Sequence, residues 1–440
     1  MLTKTILKKL LNVKHTAIDD VVFNSDGSMS VRVHPTKGQQ HRCGICGKKS
    51  SPYDNGRGWR RWRTCDWNTN IVYIEAQSPR VCCPEHGVVT ASVPWARHDS
   101  GFTYEFEQQV TWLATNCPKK VVSALMRISW HTVGPIISRV KEDIDPNPEH
   151  RFDGLVNIGV DETSYRKGHK YLTVIVDHDK GKVIWACKGH GKSVFTKFFK
   201  LLTPEQLASI KLVSGDGAKW IAECLKEFCP DAQRCLDPFH VVQWANDALD
   251  DVRRDAWRDA KKKAPKTPKR GRGRPSKAAT PSDTTAKDLK GSRYALGKAP
   301  ENLTETQMAQ LEMIAKSDKR LYRAYLLKEE LRLVFQQDAE NGKRMLDHWI
   351  KWAQHCRIPV FVELQRKIRR HYDAIIATLE HRLSNARIEA INNKIKLSIR
   401  MAYGFRNMDN MLDTIMLRCS DIEVRLPWES QLTGIVTHTY

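Results

Sequence analysis

Four scarcities narrow the possibilities before any motif is read. No apolar run in the 440 residues approaches the length needed to cross a bilayer. The N-terminal MLTKTILKKLLNVKH has neither an uninterrupted apolar core nor a small-residue cleavage site, so it does not read as a secretory signal. The twelve cysteines mostly lack the spacing of a disulfide scaffold, which fits a reducing interior and makes the cytoplasm the expected compartment, with nucleoid association if the source is bacterial. Acid is the fourth scarcity. Fifty Asp and Glu stand against 72 Lys and Arg, and the resulting charge of +22 exceeds what solubility needs and points to a polyanion, nucleic acid first among them. Apolar content of 41% is ordinary for a globular chain, and the length suits two to four domains.

Two segments concentrate the lack of acid. Residues 261–277, KKKAPKTPKRGRGRPSK, hold nine Lys or Arg and no carboxylate among dispersed Pro and Gly, the composition of a linker that is disordered when free. Within it Arg270, Arg272 and Arg274, separated by glycines, form an AT-hook-like string suited to the minor groove of A/T tracts. Residues 381–400, HRLSNARIEAINNKIKLSIR, hold five basic residues and one acid, Glu389. A helix-surface salt bridge needs a base three or four positions away, where this sequence has Asn385, Ala386, Asn392 and Asn393. Ile388, Ile391, Ile395 and Ile399 form an apolar stripe, and Asn385, Glu389, Asn393, Lys396 and Arg400 run beside it on one polar edge. An unpaired carboxylate there suits a metal, with Lys396 and Arg400 available to DNA phosphate.

Along the chain, residues 1–100 read as a small β-rich module, residues 101–150 turn helical, and residues 155–240 alternate strand and helix patterns. LVNIGVD, YLTVIVD, KVIWAC, KLVSGD and AQRCLD are the five expected strands, the first two joined by a Gly-containing turn at 166–169. A mixed α/β domain over 151–260 is therefore expected to be interrupted by the linker (261–300) and a helical insertion (301–360), and to resume at 361–440 together with C-terminal helices.

Cys43, Cys46, Cys83 and His86 form C-x2-C and C-x2-H pairs 36 residues apart, a ligand set for one structural zinc, with Cys82 as a rival thiol. KKVVSALMRISWHTVGPIISRVK, residues 119–141, has the pattern helix, tight turn, helix. One face is Val121, Val122, Leu125 and Met126, and the other is Val133, Ile136, Ile137 and Val140. A helix-turn-helix would present Lys119, Lys120, His131 and Arg139 to DNA, with Thr132 the expected N-cap because Pro135 belongs in a first turn. Asp161 and Asp216 close two strands that, if parallel neighbours, carry both carboxylates to one sheet edge, where hard Mg²⁺ favours oxygen ligands. Asp237, in DPFH with His240, reads either as a helix N-cap or as a supporting residue behind that edge.

IGVDETSYRKGHKYLTVIVD, LVSGDGAKWI, CLDPFHVVQWANDAL and LSNARIEAINNKIKLSIRMAYGF resemble transposases of the ISL-three insertion-sequence family, and CGICG with VCCPEHG resembles that family's zinc finger. The resemblance covers nearly the whole chain. It implies an α/β ribonuclease-H-like catalytic domain with a helical insertion, preceded by a small zinc-binding module and a helix-turn-helix. It also implies a DDE triad of Asp161, Asp216 and Glu389, spaced by 55 and 173 residues. The expected activity is metal-dependent cleavage and transfer of DNA strands at the element's terminal inverted repeats, with two Mg²⁺ or Mn²⁺ ions and a homo-multimer on double-stranded DNA. A DNA-binding regulator with a non-catalytic domain, or a nuclease of the same fold, shares these features without strand transfer.

Overall fold

In the strand Val72–Gln77 buried residues alternate with partly exposed ones, so that Val72, Ile74 and Ala76 face inward. The computed structural model describes residues 2–166, 168–263, 281–383 and 386–429. They divide into two units, residues 1–148 with 394–440, and residues 149–393. The first unit opens with helix α1 (Leu2–Leu11) and strands β1 (Thr16–Phe23), β2 (Met29–Pro35), β3 (Ser51–Asp54), β4 (Trp59–Arg63), β5 (Val72–Gln77), β6 (Arg80–Cys83) and β7 (Gly87–Thr90). They form one sheet in the order β1-β2-β5-β4 and a second in the order β3-β6-β7. Trp62 and Trp95, edge to face at 5.5 Å, fill the core under the larger sheet with Val31, Val33 and Ile74. Asp20, Arg32, Glu75 and Arg61 stand opposite one another across its strands, so charges alternate in sign along the ladder.

Three helices follow, α2 (Tyr104–Asn116), α3 (Lys119–Met126) and α4 (Trp130–Ile144). Arg127 turns the chain between α3 and α4 in the left-handed region, and Ser129 caps α4 by accepting the His131 N–H. The N-cap of the second helix thus falls three residues before the expected Thr132, with Pro135 inside the helix. Gly134 explains the tolerance, because it has no Cβ to meet the proline ring. Only half of the first expected face is inward: Val122 and Met126 are buried, whereas Val121 and Leu125 are exposed. All four residues of the second face are buried with Phe106 and Val110, and the C-terminal helix Met408–Cys419 adds Leu417.

Glu107 lies at the centre of this helical group, fully buried. One carboxylate oxygen accepts from Arg139 at 2.9 and 2.6 Å and from the Ser100 hydroxyl at 2.7 Å, and the other accepts from Arg97 at 3.0 Å. Arg139, assigned to DNA from the sequence, is therefore committed to an internal ion pair.

The second unit carries β8 (Asn157–Arg166), β9 (Lys170–Asp177), β10 (Lys182–Lys188), β11 (Leu212–Gly215) and β12 (Gln233–Leu236), the five expected strands. Their order is β10-β9-β8-β11-β12; the first three pair antiparallel, and β11 runs parallel to both neighbours. Helices α5 (Lys192–Phe199), α6 (Pro204–Ser209) and α7 (Lys219–Phe228) connect them, and Phe195, Phe198 and Phe199 pack with Ile158, Val160 and Val213.

The helical insertion is longer than the sequence indicated. After α8 (Pro238–Lys263) come α9 (Pro281–Gly291), α10 (Arg293–Gly297), α11 (Glu305–Ser317), α12 (Lys319–Val334), α13 (Ala339–His355), α14 (Pro359–Arg370) and α15 (Tyr372–His381). One core runs through them from Val241 to Leu379, including Leu289 and Leu296 from the span expected to be linker. Arg270, Arg272 and Arg274 lie outside the described residues. Helix α16 (Ala386–Met401) and helix α17 (Met408–Cys419) are the last regular elements among the described residues, and residues from 394 onward group with the first unit rather than with the sheet domain. No described helix is long and apolar enough to cross a membrane.

Because Glu107 neutralises two arginines away from water, Glu107→Ala is expected to cost about 3 kcal/mol in urea unfolding. Arg139→Ala should cost less, since Glu107 then keeps Arg97 and Ser100. Equal losses would show that the two arginines do not share one buried acid.

Candidate functional site

The first site is a cluster of three cysteines and a histidine, able to hold a metal ion, on two tight turns. Cys43 and Cys46 flank a turn closed by the Gly47 N–H to the Cys43 carbonyl, and the Ile45 N–H points at the Cys43 sulfur at 3.4 Å. Gly44 is required there, since a Cβ would lie 2.5 Å from the Thr90 carbonyl oxygen. Cys83 ends β6, and His86 precedes β7 across a turn completed by Gly87 at φ +66°. The four ligand atoms lie within 4.8 Å of one another. Cys46 and Cys83 sulfurs are 3.7 Å apart, and His86 Nδ1 is 3.6 Å from Cys83 and 3.8 Å from Cys43. Zinc–sulfur bonds of about 2.3 Å place tetrahedral ligands roughly 3.7 Å apart, so this set fits a structural zinc. The His86 imidazole pulls the Cys83 thiol down to about 6, toward the thiolate a metal binds. Cys82 is exposed on the opposite face of β6, which removes it as a rival.

The second site lies where β8 and β11 run side by side. Leu212, Val213 and Ser214 pair with Asn157, Ile158 and Gly159. Continuing that register by two residues puts Asp216 level with Asp161. On the other side Gly215 pairs with Leu236, which brings Asp237 to the same level. Asp161 does not close its strand as expected, because β8 continues to Arg166 as the arm of a hairpin. Glu162 points to the other face by strand alternation and accepts the Gly191 N–H at 2.7 Å.

Burial raises the Asp161 carboxyl above the usual range, and the like charge of Asp216 adds to the effect. One Asp161 oxygen accepts its neighbour's N–H at 2.7 Å, and the other accepts from the side-chain amide of Asn392 on α16. Asp216 accepts the Ala218 N–H at 2.9 Å, while the half-buried Arg234 guanidinium holds the backbone carbonyls of Asp216 and Ala218 at 2.6 and 3.0 Å. His240 pairs with Asp237 at 3.8 Å, and Asp237 accepts the Phe239 N–H at 3.1 Å, which makes it the N-cap of α8 as well as a neighbour of the acids.

Helix α16 has the expected amphipathic form. Ile388, Ile391 and Ile395 are buried, and Glu389, Asn393, Lys396 and Arg400 are exposed. Ile388 presses on Gly159 so closely that a Cβ there would lie 2.2 Å from its methyl group and 2.6 Å from His178. Glu389 is one helical turn before Asn392 but does not converge with the aspartates: among the described residues only the Cys43, Cys46, Cys83 and His86 group gathers three or more ligand atoms within 4.8 Å. Sequence reasoning missed Asn392. Its signal was a polar residue four positions after Ile388, on the shoulder of the apolar stripe.

Of the residues assigned to DNA, Lys120, His131, Lys396 and Arg400 are exposed. Lys119 is half-buried with its ammonium 4.8 Å from the Phe405 ring, and burial lowers its pKa.

A zinc-ligand set and a helix-turn-helix, joined to a mixed sheet with acids level on parallel strands, define a DNA-processing enzyme with its own DNA-binding modules. The chain belongs to the ISL3 family of transposases, the ISL-three family named above. The family's transposase model, of the DDE type, matches residues 158–415. Its helix-turn-helix domain matches 91–140, and a transposase zinc-finger model matches 39–86. A protein from Mycobacterium tuberculosis described as the transposase for insertion sequence element IS1557 is 51% identical over 430 residues, covering 96% of this chain and 97% of its own. The transposase for IS1001 of Bordetella parapertussis is 25% identical over 342 residues, 77% of this chain and 79% of its own.

Two outcomes are expected here. Purified protein should carry one zinc per chain by elemental analysis, lost in Cys83→Ser and retained in Cys82→Ser; retention in both would overturn the ligand assignment. His178, buried against the Ser214 hydroxyl at 2.6 Å, is held down to about 4 by burial, from 6.5. The unfolded chain therefore takes up a proton that the folded chain refuses, and stability falls as pH drops from 6.5 toward 4, by up to about 3 kcal/mol. His178→Gln should flatten the stability profile across that interval, and an unchanged slope would remove His178 as its source.

Proposed function

We propose that this chain is the transposase of an insertion sequence, binding the terminal inverted repeats of its element and catalysing strand cleavage and strand transfer through Asp161, Asp216 and Glu389 in a ribonuclease-H-like domain. The observation that carries the assignment is the β8–β11 register, which makes the two aspartates level neighbours while Asn392 ties α16 to one of them. The strand order, with three antiparallel strands followed by two parallel ones, supports the fold.

The carboxylates suit two Mg²⁺ or Mn²⁺ ions: they are hard oxygen donors, and no ion pair among the described residues neutralises Asp161 or Asp216. When bound, such ions supply Lewis acidity to the attacking and leaving oxygens of phosphoryl transfer. The chain's own residues prepare that chemistry. The Glu162 N–H and Asn392 amide fix the Asp161 carboxylate, and Arg234 fixes the backbone on both sides of Gly217 so that Asp216 keeps its place. Glu389 would complete the set from the first turn of α16, on the helix that Asn392 and Ile388 anchor to β8.

The zinc module and helix-turn-helix would recognise the element ends, with Lys119, Lys120, His131, Lys396 and Arg400 among the DNA contacts. Arg270, Arg272 and Arg274 would add affinity that falls steeply with salt. Two ends must be held together for transfer, so a homo-multimer on DNA is part of the reading.

The test incubates purified protein with labelled element-end duplex, Mg²⁺ and a target plasmid. Glu389→Gln should reduce joined product by at least about a hundredfold, the loss expected when several kcal/mol of metal-derived stabilisation disappear, while end binding changes little. Specific binding by the wild-type protein with neither nicking nor joining would favour a regulator instead. Nicking without joining would favour a nuclease.

A further inference from the structure

Helix α16 ends in a turn whose sequence contradicts its geometry. The Gly404 N–H reaches back to the Ile399 carbonyl at 2.9 Å and the Tyr403 N–H to the Arg400 carbonyl at 3.0 Å, the paired bonds of a Schellman cap. Tyr403 therefore occupies the left-handed position of that cap, at φ +52°, where glycine is the ordinary choice. Its side chain gains nothing from the fold in return, being 90% exposed. A large aromatic residue held in water in an unfavourable backbone conformation breaks two local rules at once. Such violations concentrate at functional positions.

The residues around it say what kind of function. Two positions on, the Phe405 ring lies under the Lys119 ammonium, at the start of α3. Arg406 lies over the Trp130 ring at 5.2 Å, and the Trp130 ring in turn lies 3.6 Å from that of His131 between centroids, tilted by 32°. Trp130 and His131 begin α4, the second helix of the helix-turn-helix, whose N-terminal residues are the ones that meet base edges. The turn that displays Tyr403 is thus pinned by two cation–π contacts to the DNA-reading end of the helix pair, with exposed Arg400 and Arg406 on either side. A protruding aromatic ring flanked by cations is a stacking platform for a nucleic-acid base. Bases inside a duplex are stacked on both faces and cannot accept it, so the partner must be an unpaired base.

We propose that Tyr403 stacks on an unpaired base of element DNA at the junction between the element end and its flank, where a cut strand end is free to fray. This rests on the transposase reading above. It adds a residue that selects for the opened state of the DNA rather than for its sequence.

The experiment compares full-length wild type with Tyr403→Gly, Tyr403→Ala and Tyr403→Phe. The probes are a fully paired element-end duplex and the same duplex with three unpaired nucleotides at the junction. Wild type and Tyr403→Phe should bind the unpaired probe about tenfold more tightly than the paired one. Tyr403→Gly and Tyr403→Ala should lose that preference while binding the paired duplex as before, with the same salt slope. Tyr403→Gly should also melt at or above the wild-type temperature, since glycine suits the cap. An undiminished preference in Tyr403→Gly, or a lower melting temperature, would overturn the proposal, the latter by showing that the ring is a structural contact. If wild type binds neither probe, the transposase reading falls and the stacking role falls with it. If wild type cleaves and joins while Tyr403→Gly keeps its preference, stacking alone is lost.

Discussion

The parallel pairing of β8 with β11 is the constraint from which the rest of the sheet domain follows. Parallel strands in register put residues at the same height on the same side, so Asp161 and Asp216 become level neighbours without any contact between their side chains having to hold them there. The arrangement is unfavourable in the protein alone. Burial and mutual repulsion both raise Asp161, and the surrounding structure answers with hydrogen-bond donors rather than with a cation. Donors that fix a carboxylate while leaving its charge in place are what a metal-binding acid needs. A salt bridge would have satisfied the same acid and disabled it.

One layer below, Gly159, Ser214, His178 and Ile388 set how closely α16 approaches the sheet. Gly159 leaves no room for a side chain, His178 closes against Ser214, and the His178 carbonyl takes the Arg387 guanidinium at 2.7 Å. The first turn of α16 is thereby fixed by contacts to β8, to the end of β9 and to β11 through His178. Glu389 depends on that anchoring for its place, though among the described residues no hydrogen bond or ion pair joins it to any of the three. In the other unit Glu107 plays a comparable part, since Arg97 and Arg139 from two different segments meet on one buried acid.

Much of this was legible in the sequence, for reasons that differ by residue. Strands were clear because their apolar runs are bounded by turn residues, and the zinc ligands because four of the right type fall in two short pairs. Glu389 stood out through the absence of a base within reach on its helix. Arg139 was misread because its partner lies 32 residues away, beyond any local pattern. Helix α4 starts earlier than the rule against internal proline places it, because Gly134 before Pro135 relaxes that rule. The insertion was drawn too short because α9 and α10 are largely polar and declare their burial only through a few residues such as Leu289 and Leu296. Asn392 was invisible for a related reason: an asparagine beside an apolar stripe looks like surface until the strand it faces is known.

The central claim is that Asp161, Asp216 and Glu389 serve one divalent-metal site, although Glu389 stands apart from the two aspartates here. Iron-directed backbone cleavage tests it without DNA. Fe²⁺ with ascorbate generates hydroxyl radicals at the position a divalent ion occupies, and the cut sites are read by mass spectrometry. The account predicts three clusters of cuts, in the middle of β8, in the turn after β11 and in the first turn of α16, all suppressed by excess Mg²⁺. Cuts confined to the two strands, with α16 untouched, would contradict it and remove Glu389 from the site.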